Sequence, residues 1–127
     1  MVYVKIPEPI MLCERQTDGT RKPIRTMSMV DVIDWITNDV YFSRPSSRGK
    51  VAAELLADFE SKKPGEYVRL TSEQHGHIKA VLDAPSEPLR AVVLKQIVPL
   101  LDALLEPLSE EQYSKRAKSE EAAASAS

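Results

Sequence analysis

The sequence predicts a single α+β domain in which an N-terminal β-hairpin packs on about four helices. Asp18-Gly19 in the stretch TDGT is a strong turn signal between two β-type runs, because glycine accepts a positive φ without strain. Downstream, apolar residues recur at helical spacing in four segments, two of which follow a capping residue. A chain of 127 residues is long enough for one hydrophobic core and too short for two.

The predicted hairpin strands are IMLCERQ and RKPIRTMS, at residues 10–16 and 21–28. Pro7, Pro9 and Pro23 confine them to sheet edges or short pairings, since proline has no amide hydrogen to donate. An isolated hairpin is barely stable in water, so these strands must lie against helices or another strand. The run YVRL at residues 67–70 predicts a third short strand.

The first two predicted helices follow the hairpin. Ser28 is an N-cap residue, and Asp31, three positions later, completes a capping box. The apolar stripe of this helix ends near Asn38, and Trp35 lies beside the centre of the stripe, which predicts partial exposure. The serine-rich loop YFSRPSSRG then leads to a second helix at residues 50–62.

The last two predicted helices lie at residues 71–82 and 89–106. Thr71 and Gln74 form a capping box at the start of the first. The second is the most apolar part of the chain, and Pro99 removes one of its amide hydrogen bonds, so it must kink or split. Because apolar residues cover more than one of its faces, the sequence also predicts that Leu101→Asp abolishes folding or assembly.

The folded domain is predicted to comprise residues 1–107. From residue 108 the composition changes to LSEEQYSKRAKSEEAAASAS, which has helix-forming residues but almost no apolar stripe. We expect residues 108–127 to be a charged, alanine- and serine-rich tail that is largely mobile, with helical structure up to about Lys118.

Charge and composition restrict the function classes. The formal net charge is −2, with 8 Lys/Arg against 6 Asp/Glu in residues 1–50 and 9 against 13 in residues 51–127. This asymmetry is too small to identify a ligand. The single cysteine, Cys13, rules out an internal disulfide and indicates a reducing compartment. The sequence starts without the features of a secretion signal, and no apolar run approaches about 18 residues, so a soluble cytosolic protein without membrane contact is expected.

Both histidines of the chain, His75 and His77, lie in the stretch TSEQHGHIKAVL. On a helix, residues two apart point in nearly opposite directions, so this pair cannot share a metal ion. We expect ordinary surface histidines, with Glu73 and His77 as an i, i+4 pair. The sequence also lacks a glycine-rich phosphate loop and a nucleophile motif, which predicts no enzymatic activity, no cofactor and no metal site. A metal hydrolase that uses both histidines is a third alternative, testable by elemental analysis.

Interaction with other macromolecules is the remaining function class. Basic residues on the hairpin and in the next loop could contact phosphates, although the acidic second helix argues against a helix-turn-helix. The apolar segment at residues 89–106 is either a core helix or an interface with a partner or a second copy. The candidate partner-binding residues are Arg21, Lys22, Arg25, Trp35, Arg44, Arg48, Leu94, Val98 and Leu101.

The order of segments resembles small, mostly uncharacterised proteins of tailed bacteriophages and prophages. The resemblance is carried by EPIMLCERQTDGTRKPIRTMSMVDVI, GKVAAELLADFE, EYVRLTSEQHGHIKAVL and PLRAVVLKQIVPLLDALL, which lie within residues 8–107. In those proteins a DGT hairpin precedes a T-x-x-DV helix, and a V-x-L-x-x-E strand-to-helix step precedes a leucine-rich last helix. The resemblance implies a phage protein that acts in virion assembly or in contacts with host proteins, and it supplies no catalytic residues.

Residues and resemblance together predict a non-enzymatic phage structural or assembly protein that acts through protein–protein contacts. It is expected in the host cytoplasm or the virion, as an oligomer or bound to a virion component. The alternative is a small phage effector or regulator that binds a host protein or nucleic acid. That alternative predicts a monomer or dimer with a cytosolic partner and, for nucleic acid, a steep dependence of affinity on salt.

Overall fold

The computed structural model describes the backbone of residues 1–126 and the side chains of residues 1–119. The described chain contains both strands and helices, which confirms the predicted α+β class. The strands are β1 (Val2–Lys5), β2 (Ile10–Arg15), β3 (Arg21–Met27), β4 (Tyr67–Leu70) and β5 (Leu108–Ser109). The helices are α1 (Met29–Thr37), α2 (Arg48–Glu60), α3 (Ser72–Asp83), α4 (Ala91–Gln96), α5 (Val98–Leu105) and α6 (Glu110–Ala126), with a 3-10 helix at Val40–Phe42.

A three-stranded antiparallel sheet has the order β4-β1-β5, with β1 at its centre. Strand β4 is the predicted third strand, and its register with β1 places Val4 opposite Val68. Both valines are buried in the core. Tyr3, the neighbour of Val4, points to the other face of the sheet, because side chains alternate along a strand. The sequence did not predict β1 or β5, since each is short and is stabilised by strands far away in the chain.

Strands β2 and β3 form the predicted hairpin, as a separate two-stranded sheet. Gly19 in its turn has a φ of 86°. The Asp18 carboxylate accepts hydrogen bonds from the hydroxyl of Thr20 at 2.6 Å and from its backbone N–H at 2.9 Å. The hydroxyl bond is the main reason why the pKa of Asp18 lies below its usual value. The turn is thus fixed by its own side chains.

The hairpin docks onto α4 through the side-chain amide of Gln96. The backbone N–H of Cys13 donates to Oε1 of Gln96 at 2.7 Å, and Nε2 of Gln96 donates to the carbonyl of Cys13 at 3.0 Å. A register shift follows Leu12, which is buried in the core. The side chain of Gln96 therefore pairs with the free edge of β2 much as another strand would, which blunts that edge.

Both predicted capping boxes are present. The Ser28 hydroxyl accepts from the N–H of Asp31 while the Asp31 carboxylate accepts from the N–H of Ser28, and Thr71 and Gln74 repeat this arrangement at α3. Helix α1 buries its predicted stripe, and Trp35 is half-buried, as expected. None of the helices within residues 1–126 combines the length and the apolar character needed to span a bilayer.

The predicted break in the most apolar segment is confirmed as a split between α4 and α5 at Ile97. Pro99 occupies the second position of α5, where a missing N–H needs no partner within the helix. Ile97, Leu100 and Leu104 are fully buried, so this split directs one face of the segment into the core.

The C-terminal segment, predicted as a tail of residues 108–127, contains a short strand and a helix. Strand β5 pairs Leu108 with Tyr3, and α6 begins directly after it. The ring of Tyr113 stacks on that of Tyr3, with the centroids 3.9 Å apart, and meets the Tyr67 ring edge-on at 5.0 Å. Because Tyr113 is a single aromatic residue in an otherwise polar segment, it produces no apolar periodicity from which these contacts could be predicted. The predicted mobility of residues 108–127 stays a prediction, and the side chains of residues 120–127 lie outside the described part of the chain.

Tyr113→Ala should detach α6 from the sheet. Loss of the stacked and edge-on ring contacts is expected to lower the free energy of unfolding by roughly 1–2 kcal/mol. Chemical denaturation measures this loss, and Lys115→Ala, which removes only an exposed pair with Glu111, is the control. Equal stabilities of the two variants would mean that α6 is not held by the tyrosine stack.

Candidate partner-binding groove

An apolar groove with a volume of about 390 Å³ runs along α4 and α5. Four of the predicted partner-binding residues lie together in it: Trp35, Leu94, Val98 and Leu101. The groove is completed by side chains from the end of α3, from the loop at residues 84–90 and from α4 and α5: Leu82, Pro85, Pro88, Leu89, Lys95 and Leu105. Among the side chains of residues 1–119, Lys95 is the only charged one that lines it, so the groove surface is almost entirely apolar.

The segment formed by α4 and α5 carries two apolar stripes, only one of which is buried. Ile97, Leu100 and Leu104 face the core with no exposed surface. Leu94, Val98, Leu101 and Leu105 follow one another at spacings of four, three and four, and line the groove. This is the spacing of residues along the seam of paired helices. Val98 and Leu105 remain 44% and 41% exposed, so the outer stripe is accessible to a partner.

Trp35 and the loop at residues 84–90 form the opposite wall. The indole N–H of Trp35 donates to the carbonyl of Glu87 at 3.0 Å. This bond satisfies the polar atom of Trp35 and leaves its ring to line the groove. The wall thus consists of an indole ring, two prolines and one leucine, Leu89.

Asp39 fastens this loop to the end of α1. Its carboxylate accepts hydrogen bonds from the backbone N–H of Ser86 at 2.8 Å, from the Ser86 hydroxyl at 3.0 Å and from the N–H of Tyr41 at 2.9 Å. Partial burial raises the pKa of Asp39, but the hydrogen bonds from Tyr41 and Ser86 outweigh that effect, so the pKa lies below its usual value. The charged carboxylate is therefore the form that holds the loop.

Asp39→Ala should loosen the loop without unfolding the chain. Loss of the three bonds is expected to cost about 1–2 kcal/mol of unfolding free energy and to speed hydrogen exchange of the Ser86 amide. Because the folded pKa is depressed, the stabilisation is present above the unfolded pKa of about 3.9 and is lost as the pH falls through the lower native pKa. Asp39→Asn, which keeps one acceptor oxygen, is the control; an unchanged exchange rate in Asp39→Ala would contradict the role of the carboxylate.

The five basic residues among the predicted partner-binding residues lie in different environments and do not form one surface. Arg21, Lys22 and Arg25 are exposed on β3, and Arg21 lies near α4. Arg48 instead places its guanidinium over the Tyr41 ring, 4.1 Å from the centroid. It also donates to the carbonyls of Tyr41 and Arg44, both at 3.2 Å. Arg48 is thus engaged in holding the loop before α2.

The prediction that both histidines are ordinary surface residues is wrong, because each is half-buried and bonded within the chain. Nε2 of His75 lies 2.7 Å from the carbonyl oxygen of Leu104, and Nδ1 of His77 lies 2.6 Å from the hydroxyl of Tyr41. The predicted pair of Glu73 with His77 is present at 3.8 Å. The two rings thus join α3 to different neighbours, and among residues 1–119 no group of three or more His, Cys, Asp or Glu side chains is arranged to hold a metal ion.

Family models, curated proteins and solved structures offer no match to this chain. The resemblance to phage proteins therefore stays a prediction.

The sequence analysis did not predict several residues of the groove and of its supporting loop. Leu105 continues the outer stripe at helical spacing, a signal that was available in the sequence. Leu82, Pro85, Pro88 and Leu89 line the groove because α3 packs on α5. Asp39 does not line it but bonds to Ser86 in the loop that does. Tertiary contacts of this kind leave no local pattern.

Proposed function

We propose that this chain is a non-enzymatic binding protein whose groove receives an amphipathic helix of a partner protein. The observation that carries the proposal is the outer stripe of Leu94, Val98, Leu101 and Leu105, which faces the groove at the spacing used by paired helices. A partner helix with apolar residues at i, i+3 or i+4 and i+7 matches this stripe. A carboxylate beside the apolar residues of the partner helix could form an ion pair with Lys95 at the edge of the groove.

The lining of the groove favours a protein segment over a small ligand or substrate. Sites for small molecules combine apolar walls with a few convergent polar groups that orient the ligand. Here Lys95 is the only charged residue of the described lining, and the indole N–H of Trp35 is already bonded to the carbonyl of Glu87. An occupant that offers apolar side chains and needs no polar anchor fits these walls best.

The shape of the groove favours a different protein, rather than a second copy of this chain, as the binding partner. The groove is concave, since Trp35 and the loop at residues 84–90 rise opposite α4 and α5. Two copies meeting through it would bring two concave surfaces together and leave a gap between them. A single helix is convex and can bury its apolar ridge between the walls.

The resemblance to proteins of tailed phages supplies the proposed setting. In that setting the partner is a virion component or an assembly factor, and the chain acts in virion assembly. The alternative, a phage effector, would use the same groove to bind a host protein. Identifying the partner of the groove distinguishes the two.

Site-specific cross-linking tests this proposal. A photoreactive amino acid placed at Val98 would lie in the groove, and one at Ile24, 60% exposed on the hairpin, serves as the matched control. Cross-linking in infected cells, followed by mass spectrometry of the linked peptide, should yield from Val98 an amphipathic helical segment of a virion protein that Ile24 does not capture. A host protein would support the effector alternative. Linkage to a second copy, or the same products from both positions, would overturn the proposed partner helix.

A further inference from the structure

Three cations surround a second cavity, where the hairpin meets α4. This cavity has a volume of about 300 Å³ and is lined by Arg15, Arg21 and Lys95, together with Cys13, Val92 and Gln96. All three cations are exposed. Within the described part of the chain, none of them has a carboxylate within ion-pair distance. Three basic residues therefore line one cavity without an ion-pair partner among the described residues.

The strand register makes this arrangement costly. Arg15 lies directly opposite Arg21 in the pairing of β2 with β3. Like charges in directly opposed positions of an antiparallel pair repel and destabilise the sheet. Lys95, held beside them by the docking of α4 on β2, adds a third positive charge. A bound anion would turn this repulsion into attraction.

The adjacent pair of residues shows a different charge pattern on the same strands. Glu14 lies opposite Lys22, so this pair combines opposite charges. Successive side chains point to opposite faces of a strand, so the Glu14 and Lys22 pair lies on the other face from Arg15 and Arg21. At this end of the hairpin, the charges of Glu14 and Lys22 cancel on one face, whereas the face towards α4 carries only the positive charges of Arg15 and Arg21.

The geometry points to an anion site at Arg15, Arg21 and Lys95 that binds a phosphomonoester or diphosphate group. Three cations match the two or three negative charges of such a group better than the single charge of a backbone phosphodiester. The guanidinium groups offer paired donors suited to phosphate oxygens, and Lys95 adds a point charge. The anion site and the groove lie on different sides of α4 and share one residue, Lys95, which borders both.

Thermal unfolding and calorimetry with inorganic diphosphate test this site on the full chain. Diphosphate should raise the Tm and bind, whereas sodium chloride at equal ionic strength should not raise it. Arg21→Gln and Arg15→Gln should each weaken binding roughly 10-fold to 100-fold. Lys22→Gln, on the other face, should leave binding within about 2-fold, because only screened, distant charge is lost. Without diphosphate, Arg21→Gln should keep or raise the Tm, since the opposed charge is removed.

Binding of two oligonucleotides of the same sequence, one with and one without a 5′-phosphate, shows whether the bound phosphate group belongs to a small molecule or to the end of a nucleic acid. Binding of diphosphate alone assigns the site to small phosphorylated molecules, and added binding of the 5′-phosphorylated strand assigns it to nucleic-acid ends. Equal binding of the unphosphorylated strand would show backbone attraction and overturn the site. So would an equal loss in Lys22→Gln, or a Tm that does not respond to diphosphate.

Discussion

Leu100→Ala should lower the free energy of unfolding by about 2–5 kcal/mol, as expected for truncation of a fully buried leucine. Leu100 is fully buried on the inner stripe of α5, between Ile97 and Leu104. Truncation removes its transfer free energy and leaves a cavity that the surrounding side chains fill only in part. Chemical denaturation followed by the fluorescence of Trp35, the only tryptophan, measures the loss.

The matched control for Leu100→Ala is its neighbour, Leu101→Ala. Leu101 is partly exposed on the groove side of the same helix turn. Its truncation should cost roughly 1 kcal/mol, because much of the side chain already contacts water in the free protein. A loss for Leu101→Ala as large as that for Leu100→Ala would show that both stripes are core, and that no groove is open to a partner.

The difference between buried Leu100 and partly exposed Leu101 shows which part of the candidate site the sequence could predict. Helical spacing identified Leu94, Val98 and Leu101 as apolar surface on a segment that is apolar on several sides. Spacing alone could not tell the inner stripe from the outer one, because that depends on which face packs on α3 and β1. The same limit explains why Asp39 and the loop at residues 84–90 were not predicted as parts of the site.

Features fixed by neighbouring residues were predicted well, for a physical reason. A capping box needs residues three positions apart, so Ser28 with Asp31 could be read directly. The split at Pro99 likewise follows from the missing amide of one residue. In contrast, Gln96 bonds to Cys13 across 83 positions, and Tyr113 stacks on a residue near the other end of the chain. Such contacts are decided by the packed structure, where many polar or aromatic side chains could have served.

Leu101→Asp should strongly weaken partner binding and leave the chain folded, in contrast to the sequence-based prediction that it would abolish folding or assembly. The side chain of Leu101 borders the groove and is partly exposed, so a carboxylate there can stay hydrated in the free protein. Binding would bury that charge against an apolar helix, and in the described groove lining Lys95 is the only cation that could compensate it. We expect a loss of at least about 2 kcal/mol of binding free energy, or roughly 30-fold in Kd.

The peptide captured from Val98 provides the ligand for measuring this loss. Titration of the synthetic peptide, followed by Trp35 fluorescence and calorimetry, should give the weakened Kd for Leu101→Asp and an unchanged Kd for Ile24→Asp on the exposed hairpin. Circular dichroism establishes that both variants are folded, so that the loss reports the groove. Retained affinity in a folded Leu101→Asp variant would move the partner helix away from α5, whereas unfolding would return Leu101 to the core and favour the original sequence-based interpretation of this helix.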